Sequence, residues 1–211
     1  MLLIETQILA PILTYVKAVS KGGILIESFE NYQKKSFRNR FWIATVSGKE
    51  TFSIPLKKGK SNQSPIQSVK ISYEDMWVRK LKFMFMTNYG SAPYFEYYFD
   101  ELMDLFEAGF ETLWELNNEL LNWSNKVLDI SLKIELTETY NSIYNAPIED
   151  FRNKHLSFYE STTSKELGDY DQIFIGQVGF IRNLSIVDLI MNKGPEAGYI
   201  ISQSAKRINH N

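Results

Sequence analysis

The sequence predicts an α/β fold, a single domain with an N-terminal β-α-β unit, a β-hairpin and a helical middle section. Three observations predict it. Two short apolar runs, LLI at Leu2 and ILI at Ile24, bracket a helix-length segment closed by Gly22-Gly23. Two β-type runs flank Ser47-Gly48-Lys49. From Asp75 the apolar residues change to a helical period.

Leu2–Ile4 is apolar without alternation, the pattern of a strand covered on both faces. Pro11 suits the first turn of a helix over 11–20, and the glycine pair ends it. GILIES then forms the second strand, and this spacing favours a parallel pair joined by a crossover helix. FWIATV and TFSIPL form the hairpin. Lys57 to Pro65 is a polar loop too short to separate domains, and IQSVKISY alternates like another strand. Trp77, Leu81, Met84 and Phe85 recur at helical spacing, and a second helix starts near Pro93. LMDLFEAGFETLWELNNELLNWSNKVL continues as one or two amphipathic helices with a break at Gly109. SLKIEL reads as a strand, YDQIFI as the last strand, and 185–192 as the last helix, closed by Gly194-Pro195.

At 211 residues the chain suits one full-sized domain. With 44% hydrophobic and 23% charged residues it has an ordinary globular composition. A formal net charge of -2 argues against a general nucleic-acid binder, which needs a broad basic surface. The absence of cysteine removes disulfides, thiolate nucleophiles and thiolate-held zinc. Only His155 and His210 could supply imidazole, so no metal and no cofactor is expected. The apolar start carries Glu5 and lacks a basic leader region, and no window is apolar for long enough to span a bilayer. These features fit a cytoplasmic protein.

The least ordinary run is ENYQKKSFRNR, Glu30 to Arg40. It packs Lys34, Lys35, Arg38 and Arg40 among Tyr32, Phe37, Asn31 and Asn39. If extended, it places Lys34, Ser36, Arg38 and Arg40 on one face, a set suited to phosphate or carboxylate. It also follows a central strand, where α/β folds place ligand loops. The competing reading is a loop whose charges are solvated or paired with Glu30. A second constellation is GFIRNLSIVDLIMNKGPE, in which Asn183 or Ser185 can cap a helix and Asp188 falls in its first turn. A carboxylate among so many apolar neighbours needs a partner, either a backbone amide or one of the arginines of the basic run. The aromatics of NYGSAPYFEYYFDEL could stack on a base or sugar, but at this density they suit a core. Glycine-rich phosphate loops, nucleophile elbows and zinc-protease motifs are all missing.

Three blocks together resemble the WbqC-like family of bacterial proteins. They are ENYQKKSFRNR with its hairpin, the set Trp77, Tyr89, Pro93 and FEYY ending at Tyr98, and the NLSIVDL run with Asn192 and Gly194-Pro195. The family's association with O-antigen and other surface polysaccharides implies a cytoplasmic enzyme or accessory protein that handles a phosphorylated, nucleotide-linked or amino sugar, an acyl or aminoacyl transferase on an amino sugar being one such role. Carried over by position, the resemblance marks Gln7, Asn31, Tyr32, Lys34, Ser36, Arg38, Asn39, Arg40, Asn183, Ser185, Asp188, Asn192 and Gly194. Arg38, Arg40 and Lys34 would hold phosphate, Asn31, Asn39 and Tyr32 would orient the sugar or acyl acceptor, and Asp188 would act as acid/base or orient an arginine. The chain departs from the pattern at Ile8, Ala10, Leu81 and Arg182, with Leu81 standing where a histidine is usual. The alternative is a non-catalytic or regulatory copy in which Arg38 or Arg40 latches onto Asp188.

Overall fold

A computed structural model describes residues 1–57, 64–154, 156–162 and 166–209. His155, His210 and most of the polar loop from Lys57 to Pro65 lie outside the described residues. Strand β1 (Leu2–Ile4), helix α1 (Ile12–Ser20) and strand β2 (Ile24–Ile26) form the expected β-α-β unit, with Leu2 opposite Ile24 in a parallel pair. All six strand residues are buried, which is why neither run alternates. Each such side chain contributes about 1.5–3 kcal/mol of burial. The glycine pair ends α1 by donating Gly23 N–H to Ala18 O at 2.9 Å. Gly23 is irreplaceable for a second reason. Its φ is +142° and a Cβ there would lie 2.6 Å from the Lys133 carbonyl, where the next strand begins.

That strand, β5 (Ile134–Leu136), pairs parallel with β2, and the two-residue β6 (Glu149–Asp150) pairs parallel with β1. The sheet order is β5-β2-β1-β6. The hairpin of β3 (Arg40–Thr45) and β4 (Gly48–Ser53) stands apart as an antiparallel pair. Helices α2 (Trp77–Tyr89), α3 (Phe95–Glu107) and α4 (Leu113–Leu128) form the helical middle. The chain breaks at Gly109, and α4 starts on a capping box between Thr112 and Glu115. Short α5 (Leu156–Glu160) and α6 (Ile175–Val178) lead to α7 (Ile186–Lys193) and α8 (Glu196–Asn209), and α8 packs on α1. One continuous hydrophobic core runs from Leu2 to Ala205.

Four elements differ from the sequence reading. IQSVKISY is a 3-10 turn, Ile66–Ser68, followed by isolated bridges at Lys70 and Ile71. Its alternation arises because Ile66, Val69 and Ile71 each plug the core. YDQIFI forms no strand. Tyr170 and Gln172 are buried there to serve a carboxylate, and the residues after them turn into α6. The run at 185–192 is not the last helix, because Gly194 turns the chain at φ 50° and Pro195 precedes α8. Residues 34–39 are a series of bends and turns with Lys35 at φ 57°, and only Arg40 enters β3, so the run is not extended and does not sort into two faces.

Candidate functional site

The four parallel strands, β1 and β2 buried and β5 and β6 partly exposed, are followed by polar residues, and all four ends point the same way. After β1 come Glu5, Thr6 and Gln7; after β2, Glu27, Ser28 and Glu30; after β5, Thr137; after β6, Arg152 and Asn153. In open α/β sheets this edge is where ligands bind. It holds a cavity of about 340 Å³ walled by Phe29, Glu30, Asn31, Gln33, Tyr140, Arg152 and Asn153.

The cavity's polar walls are braced from behind. Arg38 is fully buried and donates from Nε to Glu30 Oε1 at 3.0 Å, from Nη2 to Glu30 Oε2, and from Nη2 to Asn153 Oδ1 at 2.7 Å. Its Nη1 is buried with no hydrogen-bond partner among the described residues. The Asn153 amide donates to Glu5 Oε2 at 2.8 Å. Gln7 donates to Glu5 Oε1 at 3.0 Å and to the Tyr159 hydroxyl at 3.2 Å, and accepts from Thr14. On the other side Arg152 donates to Glu27 Oε2 at 2.8 Å and to Asp150 Oδ2 at 2.6 Å. Its guanidinium carbon lies 5.2 Å from the ring centres of both Tyr140 and Tyr144. Glu27 also accepts from Thr137 Oγ1 at 2.8 Å and from the Phe29 amide at 3.0 Å.

Burial shapes the ionisation of this cluster. It pushes the Glu30 carboxyl up to about 7, an effect that the hydrogen bonds and charge of Arg38 oppose and the nearby Glu5 reinforces. Burial works to lower Arg38, but the hydrogen bonds and charge of Glu30 outweigh it and hold the guanidinium above its ordinary value. Asp150 bonds raise Arg152 in the same direction. Burial, with Glu5 close by, pushes the Tyr159 hydroxyl up as well.

Of the residues singled out in the sequence, Asn31 lines the cavity, while Gln7 and Arg38 brace it. Tyr32 donates its hydroxyl to Asn39 Oδ1 at 3.1 Å, and Asn39 donates to the Ile54 carbonyl at 2.9 Å, so this pair fastens the segment to β4's end. Lys34 is exposed, and Arg40 is half-buried with its Nε enclosed and without a hydrogen-bond partner among the described residues.

The second constellation sits elsewhere. Asn183 accepts from the Leu13 amide at 2.9 Å and donates to the Tyr159 carbonyl at 2.9 Å. Ser185 Oγ accepts from the Trp42 amide at 2.9 Å, tying α7 to β3 instead of capping its own helix. Asp188 is fully buried and accepts from the hydroxyls of Tyr89 at 2.9 Å and Tyr170 at 2.6 Å and from the Gln172 amide at 3.2 Å. Its partners are therefore neither the arginines nor a backbone amide. Burial raises its carboxyl to about 6 against the pull of these three donors. Asn192 donates to the Asp188 carbonyl at 2.8 Å and so also serves the helix. Leu81 is fully buried in α2, in apolar core.

Sequence reasoning missed Glu5, Glu27, Tyr140, Arg152 and Asn153. The signal was present for two of them: Glu5 and Glu27 are carboxylates placed directly after buried apolar strands, where a charge needs a reason. Arg152 and Asn153 carry no such mark, because β6 is too short to show a pattern, and Tyr140 stands in the irregular segment after β5. Among the described residues no group of three or more acidic, histidine or cysteine side chains could hold a metal ion, and no helix is long and apolar enough to cross a membrane.

No curated protein and no solved structure matches the chain. The sequence model of the WbqC-like protein family matches residues 9–149. That stretch carries β2, the basic segment and the Glu30, Asn31, Gln33 and Tyr140 walls of the cavity, and it ends just before Asp150 and Arg152. Spanning well over half of the sequence, the match shows that the chain belongs to the WbqC-like protein family.

Proposed function

We propose that this protein acts in bacterial surface-polysaccharide biosynthesis and binds a phosphorylated or nucleotide-linked sugar in the cavity at the carboxyl ends of the parallel strands. The observation that carries the reading is the cavity wall itself. Three amide side chains (Asn31, Gln33 and Asn153), one carboxyl (Glu30) and one guanidinium (Arg152) surround a space of about 340 Å³ with Tyr140 and Phe29 beside them. Amides and carboxylates satisfy sugar hydroxyls in pairs, and an aromatic ring covers the apolar face of a pyranose. Lys34 and Lys35 are exposed next in the chain to Gln33, well placed by charge for a phosphate outside the cavity. The family's association with surface glycans supports the same substrate class, and a nucleotide-linked donor makes the cytoplasm the place of action.

In this reading Glu30 takes the acid/base role that the sequence offered to Asp188. Glu30 lines the cavity and changes protonation near neutral pH, whereas Asp188 is sealed among Tyr89, Tyr170 and Gln172. A transferase would use Glu30 to accept the proton of the attacking hydroxyl or amine. A second reading, a non-catalytic copy, is favoured by one observation: the buried Arg38–Glu30 pair braces the fold whether or not a ligand is present. Thermal shift with a panel of nucleotide-sugars and sugar phosphates tests the proposal. A ligand at a hundred times its dissociation constant adds about 2.7 kcal/mol of stability, several degrees in melting temperature. Asn31→Ala and Tyr140→Ala should remove that shift. A panel with no stabilising member, or shifts that both variants retain, would leave the brace as the pair's role.

A further inference from the structure

We infer that the outer face of the α2–α3 helix pair is where a second copy of this chain docks, about a two-fold axis near Phe83. This face lies apart from the cavity and shares no residue with it. Helix α2 buries Trp77, Leu81, Phe85 and Tyr89, and its opposite side presents Met76, Arg79, Phe83 and Met86 at helical spacing. Phe83 is 71% exposed, and Met76 and Met86 are more than half exposed. Single exposed apolar side chains are ordinary, but three in one stripe call for a cover. Tyr97, 76% exposed, leaves an aromatic run that mostly packs inward and stands on the outer side of α3 with Glu96, Asp100 and Asp104. Lys82 donates to Glu107 at 3.0 Å and so joins the two outer sides.

Charge names the occupant. Helix α2 carries three bases and no acid, and α3 carries five acids and no base. Lys82 is paired with Glu107, and Glu101 with Lys126 of α4. Among the described residues this leaves Arg79 and Lys80 on α2, and Glu96, Asp100 and Asp104 on α3, without an ion pair. The contact between the Trp77 and Phe106 rings joins the start of α2 to the end of α3, so the two helices run antiparallel. The acidic start of α3 therefore flanks the carboxyl-terminal half of α2, while Arg79 and Lys80 occupy its amino-terminal half. A two-fold rotation through Phe83 exchanges those halves. It brings Phe83 and Met86 of both copies together at the axis, and sets Arg79 and Lys80 of each copy over Glu96, Tyr97 and Asp100 of the other. Such a face is complementary to itself, as a two-fold contact requires. An anionic bilayer fits it less well, because the acids of α3 outnumber the bases of α2. The helix pair is about 20 Å long and about 20 Å wide. That is the lower end for a specific interface, so the dimer should dissociate in the micromolar range.

Sedimentation of the wild-type chain between about 1 μM and about 200 μM should show a monomer–dimer equilibrium. Phe83→Asp should weaken the dimer by about thirtyfold or more, with an unchanged circular-dichroism spectrum, since the side chain is exposed. Two charge-reversed variants, Arg79→Glu with Lys80→Glu and Glu96→Lys with Asp100→Lys, should each sediment as monomers. An equal mixture of the two should recover the dimer, because opposite charges then meet on both sides of the axis. A wild-type chain that stays monomeric across the range, or a dimer that Phe83→Asp leaves intact, overturns the docking. A mixture that stays monomeric overturns the two-fold arrangement about Phe83. Binding of the wild-type chain to phosphatidylglycerol vesicles, lost in Phe83→Asp, would give the face to a membrane and overturn the second copy.

Discussion

Arg38 and Glu30, eight residues apart in the chain, form a two-pronged buried ion pair, with the Arg38 side chain wholly buried and that of Glu30 5% exposed. One member braces and the other lines the cavity, so a single pair joins the fold's stability to its candidate chemistry. Arg38→Ala strands Glu30 and removes a donor from Asn153, and should cost about 3–5 kcal/mol in urea denaturation. Arg38→Lys should recover only part of that, since an ammonium cannot span both carboxylate oxygens. Arg40→Ala, at a half-buried side chain, should stay within about 1 kcal/mol of wild type.

Tyr140 is 54% exposed and walls the cavity beside Arg152. Tyr140→Ala should therefore leave the denaturation midpoint nearly unchanged, within about 0.5 kcal/mol, while weakening sugar binding measured by titration. Equal losses in stability and affinity would mean that the ring only supports the fold.

Asp188 and Glu30 both hold their protons more tightly in the folded state than in the unfolded chain, at about 6 and about 7. Their contributions are fully present below the ordinary carboxylate range and are lost as pH rises through the folded values. Wild type should therefore lose stability relative to Asp188→Asn between about pH 4 and about pH 6, then run parallel to it. Denaturant midpoints across that range check the sign. Asp188→Ala, which leaves two tyrosine hydroxyls and an amide without their acceptor, should be the more damaging change at every pH.

Gly198 on α8 faces the carboxyl end of α4, where an added Cβ would lie 1.9 Å from the Leu128 carbonyl oxygen. Backbone cannot step aside as a side chain can. Gly198→Ala should cost about 1–3 kcal/mol or more, and a melting temperature equal to wild type would refute the close approach.

The sequence made the frame legible because β1 and β2 are buried on both faces and the long helices are amphipathic. Leu2–Ile4, Ile24–Ile26, the hairpin and the breaks at Gly22-Gly23 and Gly109 all follow from local chemistry. The rest depends on contacts distant in the chain. Ile66, Val69 and Ile71 imitate a strand because each reaches the core from an irregular segment. Tyr170 and Gln172 are buried for Asp188, a need invisible at their own positions. The basic run was legible as a special segment, and its pairing with Glu30 was one of the readings it allowed. Its interior side, with Phe37, Arg38 and Asn39 all buried in succession, breaks every periodic rule and could be seen only in three dimensions. The cavity was harder still, since Arg152 and Asn153 reach it from a two-residue strand at the far edge of the sheet.

Whether the sheet's carboxyl edge binds a sugar is decided by a crystal structure of the protein soaked with the best-stabilising sugar phosphate. A pyranose should lie between Asn31, Tyr140 and Arg152 with one polar substituent within about 3.2 Å of a Glu30 carboxyl oxygen. A ligand bound elsewhere, with Glu30 still engaged by Arg38 alone and the cavity holding only solvent, would contradict it.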